Sequence, residues 1–205
     1  MGFYDRRILP HLINTAMKST EATRLRAAWI PEARGRVLEI GIGSGLNLPF
    51  YSSNVECVYG VEPSTELQNM AEASAKRSNT KVEFLSQSAE DAIALADGSV
   101  DTVVMTWTLC SICDPLRALA QMKRLLKPDG RMLFIEHGKS PDARVARWQD
   151  RLTPAWKKIG GGCHLNRKID DLLRGAGFMI QELKTSYLPG PRPMTYTYQG
   201  FANPF

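Results

Sequence analysis

Residues 37–46 read Val37-Leu38-Glu39-Ile40-Gly41-Ile42-Gly43-Ser44-Gly45-Leu46. A short aliphatic run carries one acid and then opens into three glycines at alternate positions. This is the pattern of a buried strand feeding a turn in which a ligand lies against bare backbone, because glycine permits both unusual φ values and close approach. A dinucleotide fingerprint, G-x-G-x-x-G, would need its last glycine at position 46, where the chain has Leu46. Glu39 precedes the loop, where it would repel a pyrophosphate. A carboxylate there suits a ligand carrying an ammonium group.

About twenty residues further on, Val58-Tyr59-Gly60-Val61-Glu62-Pro63 is a second apolar strand ending in an acid. A carboxylate at that place accepts hydrogen bonds from ribose hydroxyls. Glu62 therefore points to an adenosine ligand without choosing between cofactors. Together, the E-x-G-x-G-x-G run and Glu62 resemble motif I and the following strand of class I S-adenosylmethionine-dependent methyltransferases. The resemblance implies S-adenosylmethionine as cofactor, with S-adenosylhomocysteine as product. The cofactor residues it implies are Glu39, Gly41, Ile42, Gly43, Gly45, Asn47, Glu62 and Pro63, with Thr106 at the end of a later strand. After the third strand this family has an acid that binds the adenine amino group, followed by alanine. Here Ser88 stands in that place, before Ala89 and Glu90, so Ser88 and the Ala89 backbone are the expected adenine contacts, with Glu90 a further expected cofactor residue.

At 205 residues, with 43% hydrophobic and 23% charged composition, the chain is expected to form one domain with a sizeable core. No apolar run approaches the roughly 20 residues needed to span a bilayer. Charges and Pro10 interrupt the first twenty residues, which do not read as a secretory signal. Four cysteines fit a reducing cytoplasm rather than a disulfide scaffold. The net charge of +5 is unevenly placed: residues 1–36 carry seven Lys/Arg against three acids, and 139–174 carry nine against four. Residues 37–138 carry eight against thirteen. Basic flanks over one mouth would favour an anionic substrate or a membrane surface; a solvated basic face is the other reading. The basic residues are not interleaved with stacking aromatics, so nucleic acid is not an expected partner. No partner protein is indicated.

The periodicity predicts amphipathic helix over 3–29, with Phe3, Leu9, Leu12, Ile13 and Met17 on one stripe, as a lid within residues 1–30. Strands are expected at 36–40, 57–61, 81–85, 100–106 and 131–136. Asn47-Leu48-Pro49-Phe50 is expected to open a helix. Ser64 is expected to cap a helix to about Arg77, and Asp114-Pro115 to start one running to Leu126. Pro128-Asp129-Gly130 predicts a tight turn. Residues 138–166 form an insertion on the substrate side, after which Asn166 is expected to cap a helix. A tail of two strands, Phe178 to Ser186 and Met194 to Gly200, predicts an antiparallel hairpin. The fold class is therefore α/β: a Rossmann-like, mostly parallel seven-stranded methyltransferase sheet, closed by the hairpin, with helices on both faces.

Methyl transfer from a sulfonium needs alignment, exclusion of water and, for some acceptors, removal of a proton. Trp107 and Cys110 end the fourth strand and are expected to face the substrate. Cys110 and Cys113 form a C-x-x-C, but no second pair has ligand spacing, so no metal is expected and pocket lining is the reading adopted. Glu136-His137 ends the fifth strand; His137 is read as a base or as an anchor for the next loop. Gly160-Gly161-Gly162-Cys163-His164-Leu165-Asn166-Arg167 places a nucleophile, a base and a cation after hinge-like glycines, and reads as a substrate loop or as a plain linker. His137 and His164 are the candidate catalytic bases; Trp107, Cys110, Cys163 and Arg167 are the candidate substrate contacts.

Beyond the general fold, Gly45-Leu46-Asn47-Leu48-Pro49-Phe50-Tyr51, Leu109-Cys110-Ser111, Glu136-His137 and the Pro154-Ala155-Trp156 to Arg167 run resemble alkyl-thiol methyltransferases. The resemblance implies a small or amphiphilic thiol acceptor, with a phenol, quinol or lipid amine as the alternative. A nicotinamide-dependent oxidoreductase and a non-catalytic cofactor-binding scaffold are more distant readings. Animal members are membrane-associated through a hydrophobic N-terminal anchor. In its place stands the amphipathic 3–29 region, so attachment is expected to be peripheral at most.

Overall fold

The structure is a computed structural model and describes residues 2–205; Met1, the first residue of the expected lid, lies outside them. Seven strands form one sheet: β1 Gly35–Ile40, β2 Val55–Val61, β3 Val82–Leu85, β4 Val100–Thr106, β5 Leu126–His137, β6 Phe178–Tyr187 and β7 Tyr196–Pro204. Their order is β3-β2-β1-β4-β5-β7-β6. Strands β1 to β5 pair in parallel, while β7 runs antiparallel to both β5 and β6. The order reverses between β1 and β4, which opens a crevice at the carboxyl ends of those strands.

Alternation along the central strands gives the sheet two apolar faces. Leu38, Ile40, Val103, Met105, Met132 and Phe134 point to one core, which α4 (Pro115–Leu125) and α6 (Ile169–Gly175) cover. Val37, Val104, Leu133 and Ile135 point to the other, with Trp29 of α2 (Thr20–Trp29) and Ala71 of α3 (Thr65–Ala75). This is the expected α/β sheet with helices on both faces. Both predicted caps form: Ser64 Oγ accepts from the Leu67 amide, and Asp114 from the Arg117 amide.

The structure departs from the sequence expectations at four places. The N-terminal segment is a π-turn at Tyr4–Ile8 followed by α1 (Leu9–Ala16), and of the predicted stripe Leu9 is buried while Phe3 and Leu12 are exposed. Asn47 opens no helix, only a 3-10 turn over Leu48–Phe50, because its side chain turns inward to Glu39 instead of capping. The turn at 128–130 is a loop folded into β5: Val100 pairs with Leu126 and Thr102 with Arg131, so the excess residues are looped out between those pairs. The insertion is largely α5 (Ala143–Ile159), and Asn166 caps no helix. Asn166 Nδ2 donates to Asp150 Oδ1 at 2.7 Å, and α6 starts after Lys168 with no side-chain cap. Among the described residues no helix is long and apolar enough to cross a membrane, and no His/Cys/Asp/Glu cluster is arranged to hold a metal ion.

Candidate active site

The glycine loop leaves β1 with the Gly41 and Ile42 amides donating to the Val61 carbonyl at 2.9 and 3.1 Å. Gly41, Gly43 and Gly45 all have positive φ, at 66°, 56° and 76°, yet they serve different ends. A Cβ on Gly41 would collide with Thr108, and one on Gly45 would press on Ala71 and Ser74 of α3 at 3.1 Å. A Cβ on Gly43 would meet nothing nearer than the Gly41 carbonyl at 3.8 Å. Two glycines therefore allow close packing, and the central one keeps a cradle open. Ile42 packs its side chain over Gly60 in the core and leaves only its backbone to the loop.

Glu62 closes that cradle from the end of β2. Its Oε2 accepts from the Gly43 amide at 3.1 Å and its Oε1 from the Ser64 amide at 2.9 Å. Burial raises its pKa against these two bonds. A buried carboxylate with one partner on each oxygen keeps lone pairs for further donors, as ribose hydroxyls would be. Pro63, next to it, is exposed. The open cradle and this acceptor fit an adenosine-bearing cofactor.

Glu39 lies deeper and is only 1% exposed. Its Oε1 accepts from Asn47 Nδ2 at 2.8 Å and its Oε2 from the Tyr51 hydroxyl at 2.8 Å. Burial pushes its carboxyl up to about 7, although both donors and Arg26 pull the other way. Asn47 Nδ2 also reaches Thr106 Oγ1 at 3.1 Å, which joins β1 to the end of β4. Behind Asn47 stands Arg26 of α2, lowered to about 10 by burial. It donates to Asn47 Oδ1 at 3.0 Å and to the Met17 carbonyl at 2.7 Å, and stacks 4.9 Å from the Trp107 ring centroid. Trp107 has φ of 52°, a cost of roughly 1–2 kcal/mol for a residue with a side chain. Ser44 Oγ donates to Asn14 Oδ1 of α1 at 2.8 Å, so the N-terminal helices touch the glycine loop directly.

After β3, Ala89 is buried in the core while Ser88 Oγ accepts from the Glu90 amide at 3.3 Å. Glu90 Oε1 in turn accepts from the Cys113 amide at 2.9 Å, tying this loop to the one after β4.

The ends of β4 and β5 form a second cluster. Glu136 is fully buried and accepts three amides, from Thr108 at 2.8 Å, Leu109 at 3.0 Å and Cys110 at 3.4 Å. Burial still pushes it up to about 7. His137 Nε2 lies 3.3 Å from the Pro193 carbonyl, and its Nδ1 lies 4.0 Å from Cys163 Sγ. The Cys110 thiol and then His137 stabilise the Cys163 thiolate, lowering that group to about 5 despite burial. Arg167 donates to the Leu109 carbonyl. His164 donates its amide to the Cys110 carbonyl at 2.8 Å. Burial, Arg167 and Lys157 lower its ring to about 4, and Nδ1 has no hydrogen-bond partner among the described residues.

The structure thus gathers the predicted residues into two groups. Glu39, the glycines, Asn47, Glu62 and Thr106 line the β1–β2–β4 side. Cys110, His137, Cys163 and Arg167 meet at the β4–β5 side, where His164 contributes its backbone rather than its ring. Three participants escaped sequence reading. Tyr51 lies just past the Pro49-Phe50 turn, and Arg26 shares the inward helix face of Ala22, Leu25 and Trp29, the only signal that it is buried. Glu136, noted in sequence only as part of a pair, organises the whole loop after β4.

A family profile described as Methyltransferase domain matches residues 38–134. Over 158 residues the chain is 35% identical to thiol S-methyltransferase TMT1B of Rattus norvegicus, an alignment covering 76% of this chain and 64% of that protein. The chain thus spans just under two thirds of that relative's length. Over 179 residues it is 32% identical to thiol S-methyltransferase TMT1A of Homo sapiens, covering 82% of this chain and 71% of the relative. Among solved structures, a SAM-dependent methyltransferase of Methanosarcina mazei has the same fold, with a TM-score of 0.67 at 23% identity, over 85% of this chain and 94% of that one.

Proposed function

We propose that this chain, which belongs to the class I S-adenosylmethionine-dependent methyltransferase family, methylates a small or amphiphilic thiol. When bound, S-adenosylmethionine supplies an electrophilic methyl group on a sulfonium. The glycine loop and Glu62 would hold its adenosine, Glu39 with Asn47 and Thr106 would serve its amino-acid end, and Ser88, Ala89 and Glu90 would flank the adenine.

The observation that carries the acceptor class is the state of sulfur at the β4–β5 end. A free thiol with a pKa of about 8.5 is only a few per cent thiolate at neutral pH. At this place the Cys163 thiol is lowered to about 5, with Cys110 and His137 as its partners. Arg167 and His137 stand at the same end of the crevice, as a positive group and a proton acceptor for an incoming thiol. The two relatives' names point to the same acceptor. Leu46 and the C-terminal hairpin do not favour the nicotinamide alternative.

The test is an acceptor screen read by S-adenosylhomocysteine release, with thiols set against phenols, quinols and lipid amines. Release with thiols above the others is the expected result; release with phenols or amines alone overturns the acceptor. Titration calorimetry should show binding of S-adenosylhomocysteine and not of NAD. Vesicles in the same screen test peripheral membrane contact, for which exposed Phe3, Ile8 and Leu12 are the support. Residence in the cytoplasm belongs to the same reading, supported by four free cysteines.

A further inference from the structure

Cys163 and Cys110 come from segments far apart in sequence and lie side by side. The His164 amide donates to the Cys110 carbonyl at 2.8 Å, and a Cβ on Gly162 would touch the Ser111 carbonyl at 3.2 Å. Residues 162–164 therefore run directly against 110–111. The two thiols act on each other, Cys110 shifted up and Cys163 down, and Cys110 Sγ lies 3.7 Å from the Trp107 carbonyl and 3.6 Å from Ser111 Oγ. His137 donates Nε2–H to the Pro193 carbonyl, which leaves Nδ1 as the atom facing Cys163 Sγ at 4.0 Å. A sulfur between an imidazole nitrogen and a second thiol has what a reactive cysteine needs: a proton acceptor and a resolving partner. Cys163 is half-buried, within reach of a small reagent, while Cys110 is buried behind it. The other two cysteines lack this setting: Cys57 lies in β2 and Cys113 is exposed.

We propose that Cys110 and Cys163 are a redox modification site, converted by hydrogen peroxide into a disulfide across the β4–β5 end of the crevice. The Cys163 thiolate attacks one peroxide oxygen; the O–O bond breaks, sulfur is oxidised to the sulfenic acid and hydroxide leaves. Cys110 then loses its proton and attacks the Cys163 sulfur; the S–S bond forms and water leaves. Two thiols and one hydrogen peroxide give one disulfide and two waters. Gly160, Gly161 and Gly162, the last two with φ of 63° and 82°, give the Cys163 segment the freedom to adjust to bridge geometry. The bridge removes both sulfurs from the place assigned above to the acceptor, so oxidation shuts the site. That consequence rests on the thiol reading; the pairing does not.

The experiment treats the fully reduced protein with equimolar hydrogen peroxide, blocks remaining thiols with N-ethylmaleimide under denaturing conditions, and maps peptides by mass spectrometry. The expected result is the loss of two of the four alkylatable thiols and one Cys110–Cys163 cross-linked peptide, reversed by dithiothreitol. Cys113→Ser should keep the cross-link. Cys110→Ser should abolish it and leave Cys163 as a sulfenic acid that dimedone traps. Four alkylated thiols in the treated protein, or oxidation of Cys113 or Cys57 ahead of Cys163, would overturn the site. None of these readouts uses a methyl acceptor, so they stand apart from a failed acceptor screen. Where a thiol acceptor is found, turnover should fall in proportion to cross-linking and return on reduction; unchanged turnover in cross-linked protein overturns the shutting of the site.

Discussion

Arg26 Nε donates to Asn47 Oδ1 at 3.0 Å, so a side chain of α2 holds the residue that itself holds Glu39. The contact makes the N-terminal helices part of the cofactor side rather than a loose cover. Removing the guanidinium leaves the Asn47 and Met17 carbonyl oxygens without their donor and unstacks Trp107. Arg26→Met is expected to cost roughly 2–4 kcal/mol of stability. It should also weaken S-adenosylhomocysteine binding by about tenfold, a loss of ~1.4 kcal/mol. Denaturant titration and calorimetry read the two effects. Unchanged affinity would mean that Arg26 serves the fold alone.

The three loop glycines should separate on substitution. Gly43→Ala meets open space and bears only the cost of positive φ, about 1–2 kcal/mol, but its methyl enters the cradle. It should fold and lose S-adenosylhomocysteine binding by more than an order of magnitude. Gly41→Ala and Gly45→Ala add a clash with Thr108 or α3 to the same backbone strain, so their main effect should be a lower melting temperature. Normal binding by Gly43→Ala would move the cofactor away from this loop.

Glu39 predicts a pH-dependent stability. Its folded pKa of about 7 lies above the ordinary 4.5, so folding takes up a proton between these values. The stability it contributes is complete below about 4.5 and lost as pH rises through about 7. Glu39→Gln cannot titrate, so its stability relative to the parent should climb across that window by about 3 kcal/mol. Urea denaturation across the window measures the slope. A flat difference would show that Glu39 keeps an ordinary pKa.

The two histidines should behave differently. His137 faces Cys163 through Nδ1, so His137→Gln is expected to lower turnover while leaving cofactor affinity nearly unchanged. Higher pH should partly rescue that variant if the lost step is deprotonation. His164, lowered to about 4, carries no proton at neutral pH and is a weak base, so His164→Gln should leave the pH profile of turnover unaltered. A profile that shifts only in His164→Gln would reverse the assignment.

Much of the fold was legible because its signals are local. Ser64 and Asp114 cap helices through amides three residues on, and such bonds depend only on residue type and spacing. Val103 to Met105 form an unbroken apolar run in β4 because both faces of a central parallel strand are covered. Asn47 and Asn166 misled for one reason: each has a side chain that also caps helices, and each is drawn to a carboxylate elsewhere in the fold, Glu39 and Asp150.

Local chemistry along the chain was enough to specify β1, the glycine loop and the acids at set intervals around it, since positive φ and close backbone approach admit little but glycine. It was also enough for the order of the strands along the chain, because hydrophobic period and turn residues act within a few positions. Packing alone settled that Arg26 stands behind Asn47, that Tyr51 shares Glu39, that Glu136 gathers three amides, and that Cys163 meets His137 from 26 residues away. No local pattern encodes these contacts. They arise where the assembled layers carry polar groups out of water, and each buried group must then find its partner among whatever the fold has brought within reach.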